Sequence, residues 1–307
     1  MHVLMMTDLE GCAGIFYREL QVSNAAPHEY ARTLRLCTRE VMAAIEGART
    51  AGADDILIEA LHDIDLEMLP AGVQVVRGLS PWDTRYLESG FHALVLVGLH
   101  GGAHLTDCAL AHTFLPSWQI EASGGVSEGW AKQVAPHLGG TAPGEFSTVE
   151  KVWLNGRLIG ETGVLMVMAA AFGVPTACVS GCIHACREAA DLVPEVQQAP
   201  VKWCVNFRAA RMLSPKGAQQ TIRDQVERGL RRSGDIPLLA GADGPQEVAV
   251  RYVHAERADR SAHGPGARRI DAHTVAASVP SGRAIPALRF LFARPRHAED
   301  APTADEV

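Results

Sequence analysis

The stretch MHVLMMTDLEGCAG, residues 1–14, joins an apolar run to two closely spaced carboxylates, Asp8 and Glu10. The run predicts a short buried strand, and ligands of open α/β sheets bind beyond the carboxyl ends of such strands. Residues i and i+2 of an extended chain point to the same side, so both carboxylates can face one metal ion. A capped turn after a first strand explains the same residues, and this stretch alone does not separate the two interpretations.

The same pattern occurs at the ends of two further apolar runs. Residues 55–61 form a run that is followed by His62, and residues 93–99 form one that is followed by His100. Runs of this length and continuous apolar character are typical of parallel strands covered on both faces. If the three strands are parallel neighbours, both histidines converge with the two carboxylates at one edge of the sheet. The coincidence at three strand ends therefore favours a metal site.

The composition indicates a globular enzyme. The chain has 307 residues, is 47% hydrophobic and carries a formal charge of −7, which argues against a nucleic-acid partner. No apolar run reaches the ~18 residues of a membrane span, and the first residues enter a strand without a signal-peptide pattern. Seven cysteines are an odd number for a disulfide framework, so we expect reduced thiols and a cytoplasmic protein.

The alternation of strand and helix patterns predicts an α/β fold, in which helices flank a largely parallel sheet and a smaller α+β lobe follows. Strands are predicted near 2–7, 55–60, 73–77, 93–98, 148–154, 175–180, 201–207, 247–253 and 271–279, and helices near 28–51, 81–89, 160–172 and 215–232. The predicted domains are an α/β metal-binding catalytic domain at 1–200, with an insertion at about 116–147, an α+β domain at 201–294 and a disordered tail at 295–307.

Two other polar residues have competing explanations. Glu161 directly precedes an apolar helix, where a carboxylate complements the helix dipole, and the pattern alone favours this capping role over a metal ligand. His112 lies in a predicted loop, where it could act as a base or be an ordinary surface histidine.

A group of cysteines resembles a metal cluster only superficially. Cys178, Cys182 and Cys186 follow one another at four-residue spacing, with His184 among them. The spacing is not C-x-x-C, and Cys178 lies in an apolar strand-like run. Because free cysteine is usually a small buried hydrophobe, we expect these thiols to be structural.

Several short motifs occur in an order that is specific to one family. They are TDLEG at 7–11, the strand-end His62, the His100-Gly-Gly loop, Ala-His112-Thr, Asn155-Gly156-Arg157-x-x-Gly160-Glu161-x-Gly163, Leu213-Ser214-Pro215-x-x-Ala218 and Pro265-Gly266. Together they closely resemble the zinc-dependent D-aminopeptidases of the dipeptide-transport type, from residue 1 to about 294.

The resemblance implies a binuclear zinc site in a hydrolase that acts on small peptides or amides. The implied ligands are Asp8, Glu10, His62, His100 and Glu161. Asp8 is the implied bridge, His112 matches the family's catalytic residue, and Mn²⁺ or Co²⁺ are alternatives to zinc. The resemblance thus reverses the preference for Glu161 as a cap. It also implies a homo-oligomer, a decamer of two stacked pentamers whose active sites face an internal chamber.

The chain departs from the family pattern beside the implied ligands. Met6 replaces a serine, Ala60 and Leu61 replace Asp and Ser, and Cys182-Ile183 replaces an acidic pair. About thirty extra residues also separate His112 from the 155–163 motif, by loop-length reasoning. Of the properties that the resemblance implies, substrate preference is therefore the one least safely carried over from the family to this chain.

Two other interpretations remain at this point, and a third is weaker than both. A related metal-dependent amidohydrolase would use the same ligands on a specialised non-peptide amide. A ring-forming binding protein that has lost catalysis would lack a ligand, and none of the five is missing. A nucleotide-binding module is weakest, because residues 98–102 do not form a phosphate-loop motif.

Overall fold

The computed structural model describes residues 1–16, 27–77, 84–114 and 148–292. Within these ranges the strands are β1 (His2–Thr7), β2 (Asp55–Ala60), β3 (Val73–Val76), β4 (Ala93–Leu99), β5 (Val149–Leu154), β6 (Arg157–Ile159), β7 (Thr176–Cys182), β8 (Gln197–Asn206), β9 (Ala209–Met212), β10 (Gln246–Tyr252), β11 (Arg268–Arg269) and β12 (Thr274–Val279). The α-helices are α1 (Pro27–Thr50), α2 (Glu161–Ala171), α3 (Ile183–Leu192), α4 (Pro215–Arg231) and α5 (Ala255–Ser261). Short 3₁₀ helices span Leu66–Met68, Arg85–Ser89, Ser233–Asp235 and Gly282–Leu291.

The larger sheet has seven strands in the order β3-β2-β1-β4-β7-β8-β9. Each neighbouring pair is parallel except β8 with β9, which is antiparallel. Every residue of β4 and β7 is buried, as expected for central strands covered on both faces. Helix α1 packs against α4, and α2 packs against α3. The predicted α/β fold with a largely parallel sheet and flanking helices is confirmed.

The smaller sheet has five strands in the order β11-β12-β10-β5-β6, and its pairs are antiparallel. Two strands of the smaller sheet, β5 and β6, come from the chain before residue 200. The larger sheet and its helices continue after that residue with most of β8, with β9 and with α4. Membership of the sheets therefore crosses the predicted domain boundary. The division into domains at 1–200 and 201–294 stays a prediction.

The predicted hairpin around Asn155 and Gly156 joins β5 to β6. Both turn residues have positive φ, 50° and 78°, which is the backbone that a two-residue hairpin turn needs. The hairpin leads directly into α2, so Glu161 stands where the smaller sheet meets the helical layer of the larger one.

Helix α2 is buried along all of its eleven residues. Leu165, Met166 and Ala169 belong to the core of the larger sheet, and Val167 and Met168 belong to the core of the smaller one. A helix that is apolar all round is stable only when it is covered on all sides. The helix therefore joins the two cores.

Some predictions differ from the structure or fall outside the described residues. Helix α3, strand β9 and helix α5 were not predicted, since elements of ten, four and seven residues carry little periodic pattern. The predicted insertion at 116–147 and the tail at 295–307 lie outside the described residues, as does the start of the predicted helix at 81–89. In the described ranges, no helix has both the length and the apolar character that crossing a bilayer requires.

Candidate metal centre

The turn after β1 lies against the end of β4 through direct backbone contact. The Asp8 N–H donates to Val97 O at 2.8 Å, and the Gly11 N–H donates to Gly98 O at 2.7 Å. A Cβ atom at Gly11 would overlap the Leu99 carbonyl, and one at Gly98, where φ is +79°, would overlap the Asp8 carbonyl. Glycine at both positions lets the backbones approach closely, which brings the two carboxylates beside His100.

One group of donors comprises Asp8, Glu10 and His62. His62 Nε2 lies 3.1 Å from Glu10 Oε1 and 3.8 Å from Asp8 Oδ1. Both carboxylates are buried, and the histidine is half-buried. The ends of β1 and β2 therefore place their polar residues together, as their parallel pairing requires.

A second group comprises His100, His112 and Glu161, all buried. Glu161 Oε1 lies 3.5 Å from His100 Nε2 and 3.7 Å from His112 Nε2. The two imidazole rings are stacked with centroids 4.1 Å apart. His100 Nε2 also lies 3.3 Å from Asp8 Oδ2, so the second group adjoins the first.

Backbone carbonyls orient both stacked rings. His100 Nδ1 donates to Gly101 O at 3.0 Å, and His112 Nδ1 donates to Leu110 O at 2.8 Å. In each neutral ring the lone pair is then on Nε2, which faces the carboxylates. A hydrogen bond from one ring nitrogen to a carbonyl is the usual support of a histidine that binds metal through the other.

Burial and neighbouring charges shift the pKa values within the cluster. Burial, with the adjacent Glu10 carboxylate, raises the pKa of Asp8 well above its usual range. Burial by itself would lower the pKa of His62, but Glu10 raises that pKa to about 10. Burial and the charge on His100 lower the pKa of His112. A metal ion must displace the proton from His62, so its binding strengthens as the pH rises.

The donor set fits a divalent transition metal. Asp8 Oδ2 and His100 Nε2 are buried atoms that have no hydrogen-bond partner among the described residues. Buried polar atoms are normally satisfied, and unsatisfied ones mark strain, chemistry or a missing ion. Mixed carboxylate and imidazole donors suit Zn²⁺, and they also accept Mn²⁺ or Co²⁺.

The structure brings together all six residues that the sequence predicts as site residues. The two groups contain Asp8, Glu10, His62, His100, His112 and Glu161. His112 stands at a donor position of the second group, so its geometry is compatible with a metal ligand as well as with a proton carrier. The assignment of each role stays a prediction.

The start of helix α2 has a cap that the sequence does not predict. The residue before it, Gly160, offers no side-chain cap to α2; instead Glu188 Oε1 accepts from Gly160 N at 2.9 Å and from Gly163 N at 2.7 Å. Glu188 lies on α3, and burial raises the pKa of its carboxyl to about 7. Since α3 was not predicted, no sequence signal indicated this contact. Glu188 thus caps the helix that begins at Glu161.

The segment that carries His112 has a strained backbone. Leu110 and Phe114 have φ values of 62° and 48°, which bulky residues rarely adopt. Leu110 supplies the carbonyl that orients His112, and the Phe114 N–H donates to Glu161 Oε1 at 2.6 Å. Strain of this kind persists where surrounding contacts hold the chain, and it clusters at functional sites.

Comparisons with known proteins identify similar chains. The family model described as peptidase M55, D-aminopeptidase, matches residues 1–122 and 144–289. The D-aminopeptidase of Bacillus subtilis (strain 168) is 22% identical over 272 residues, which are 87% of this chain and 86% of that one. The solved structure of the Zn-dependent D-aminopeptidase DppA from Bacillus subtilis, described as a self-compartmentalizing protease, superimposes with a TM-score of 0.77 at 20% identity and covers 95% of each chain.

Replacement of Glu188 tests its support of Glu161. Glu188→Ala frees the N–H groups of Gly160 and Gly163, so we expect zinc affinity to fall about 10- to 100-fold, as for other partners of metal ligands. Glu188→Gln keeps an acceptor oxygen and should stay near wild type. Competition with a chromophoric chelator measures both affinities.

The exposed Glu195 provides the control, since Glu195→Ala removes a nearby carboxylate that does not cap α2. Wild-type zinc affinity in Glu188→Ala would contradict the supporting role, and an equal loss in Glu188→Gln would do the same.

Proposed function

This chain belongs to the D-aminopeptidase family, and we propose that it is a zinc aminopeptidase that hydrolyses the N-terminal amide bond of small D-amino-acid peptides or amides. The family match covers most of the chain and confirms the predicted family and hydrolase class. The single observation that carries the proposal is the convergence of three carboxylates and three histidines at the strand ends of the larger sheet.

The proposed centre holds two zinc ions per chain. The proposed ligands are Asp8, Glu10, His62, His100 and Glu161. Asp8 is the proposed bridge because its two oxygens face different groups, with Oδ1 toward His62 at 3.8 Å and Oδ2 toward His100 at 3.3 Å. Bound zinc supplies Lewis acidity, which polarises an amide carbonyl and makes hydroxide available near neutral pH.

His112 is the proposed proton carrier. Its Nδ1–H is held by the Leu110 carbonyl, so Nε2 is the atom that accepts a proton and passes it on. Nε2 lies 3.8 Å from Glu10 Oε1 and 3.7 Å from Glu161 Oε1, close to one carboxylate of each group. From this position the imidazole can deliver a proton to the amine that leaves when the amide bond breaks.

The buried carboxylates also account for a preference for the amino end of a substrate. A protonated α-amino group is a cation, which carboxylate oxygens attract, and a neutral one can bind a metal ion through its nitrogen lone pair. An N-acylated peptide lacks that group. The proposed activity is therefore an aminopeptidase rather than an endopeptidase.

A second candidate function is the hydrolysis of a specialised non-peptide amide by the same metal centre. It is favoured by the apolar residues that precede two proposed ligands, because Met6 and Ala60, two positions before Asp8 and His62, are both buried. These side chains cannot make hydrogen bonds to a peptide backbone.

Hydrolysis of D-alaninamide and L-alaninamide by the purified protein, with zinc and after chelation, tests the proposed function. We expect cleavage of the D form that is lost on chelation and restored by zinc. Absence of cleavage for both forms, with two zinc ions bound at the carboxylate–histidine centre, would contradict the aminopeptidase and favour the second candidate. Activity that survives complete metal removal would contradict both.

Two histidine variants separate the metal and proton roles. We expect His112→Ala to lower kcat about 10²- to 10⁴-fold, the usual contribution of a proton-transfer group, with metal content unchanged. His62→Ala should instead lose bound zinc. Metal analysis and steady-state kinetics give both results, and the exposed His254→Ala is the control. A loss of zinc in His112→Ala would identify this residue as a ligand.

The proposed assembly is a homo-oligomer, a decamer of two stacked pentameric rings, and the protein is proposed to be cytoplasmic. The solved relative is described as self-compartmentalizing, which supports assembly around an internal chamber. Light scattering tests the decamer, which should give ten times the mass of the 32.9 kDa chain. A monomeric or dimeric mass would contradict it.

A further inference from the structure

Three thiols meet beside the metal centre. Cys108 lies in the loop after β4, Cys182 ends β7, and Cys204 lies on β8. Cys108 Sγ is 3.9 Å from Cys182 Sγ and 3.8 Å from Cys204 Sγ, and the three sulfur atoms lie within 4.8 Å of one another. We call these three residues the thiol trio. No residue of the trio belongs to the carboxylate–histidine cluster.

The spacing of the sulfur atoms matches one kind of metal site. Ligands about 2.3 Å from a tetrahedral zinc ion are about 3.8 Å apart, which follows from the usual zinc–sulfur bond length. The two sulfur–sulfur distances from Cys108, 3.9 and 3.8 Å, agree with this value. We propose that the thiol trio binds a zinc ion of its own, with a water molecule as the fourth ligand.

The other cysteines of the chain behave differently. Cys186 donates to the Val179 carbonyl, and Cys12 and Cys37 both donate to the Asp8 carbonyl. These three thiols are buried, as small hydrophobic side chains usually are. Cys12 and Cys37 also contact each other, but only as a pair, whereas the trio brings three sulfur atoms together. One of the three, Cys108 Sγ, also donates to the Ala109 carbonyl at 3.7 Å. Thiolate sulfur is the donor that best selects zinc over the hard cations, which separates this site chemically from the neighbouring one.

The position of the trio allows an ion to enter and to keep a water ligand. Cys108 and Cys182 are buried, whereas Cys204 is half-buried near the antiparallel edge of the larger sheet. A zinc site with three protein ligands completes its tetrahedron with solvent. The partial exposure of Cys204 supplies that solvent side.

An ion at the trio would hold the strained loop that carries His112. The ion would join Cys108 to Cys182, which lies 74 positions away in the chain, and to Cys204, which lies 96 positions away. The backbone at Gly101 packs against Cys108 Sγ with no room for a side chain. A Cβ atom at this position would lie 2.7 Å from the sulfur and 3.1 Å from the Cβ of His184. The loop between His100 and Phe114 would thus be attached to β7 and β8 at its midpoint. This is a structural role that needs no contact with substrate.

Cobalt substitution tests the proposal without reference to activity. The full-length protein is stripped with chelator under reducing conditions and reloaded with Co²⁺, whose bonds to thiolate absorb by charge transfer in the near ultraviolet. Carboxylate and imidazole ligands give no such band. We expect the band in the wild type, its loss in Cys108→Ala and Cys204→Ala, and about one metal ion fewer per chain in both variants.

Cys178→Ala is the matched control, because Cys178 lies on the same strand as Cys182 but outside the trio. It should keep the band and the full metal content. Absence of the band in cobalt-loaded wild type, or a band of equal strength in Cys204→Ala, would overturn the proposal. So would a disulfide within the trio that forms in the presence of zinc. None of these outcomes bears on the carboxylate–histidine centre, so the two proposals fail independently.

Discussion

The whole site depends on a contact between two backbones. The turn after β1 lies on the end of β4 with no side chain between them, because both contacting positions, Gly11 and Gly98, are glycine. This contact sets Asp8 and Glu10 beside His100. A methyl group at either glycine would overlap the facing backbone carbonyl, so the two strand ends would have to move apart. Each glycine loses more conformational entropy on folding than another residue would, and in return the two backbones can approach closely.

That approach buries charge, which is costly unless a partner compensates for it. Asp8, Glu10 and Glu161 repel one another at close range, and the raised pKa of Asp8 is the result of burial and of this repulsion. In the metal-free protein, protonated histidines provide the compensating charge. Divalent cations held by the proposed ligands would provide more of this charge. The arrangement is therefore better suited to bound metal than to protons.

Much of this could be predicted from the sequence, for a definite reason. Parallel strands end at one edge of their sheet, so polar residues after separate apolar runs, such as Asp8, His62 and His100, had to lie near each other. Glu161 could not be assigned from its pattern, because a carboxylate at a helix start has a sufficient local explanation, and only the family resemblance indicated a ligand. Glu188 was missed because it lies on an unpredicted helix, and the thiol trio was missed because its members lie far apart in the chain.

Helix α2 has a consequence for how the protein unfolds. It has no face suited to water, and its side chains are divided between the two cores. Separation of the sheets would expose it, so neither layer can open while the other stays intact. We therefore expect its amide hydrogens to exchange with solvent only through global opening of the chain, which makes α2 part of the slowest-exchanging unit. The residue at its first position, Glu161, inherits that rigidity, although it lies next to a strained loop.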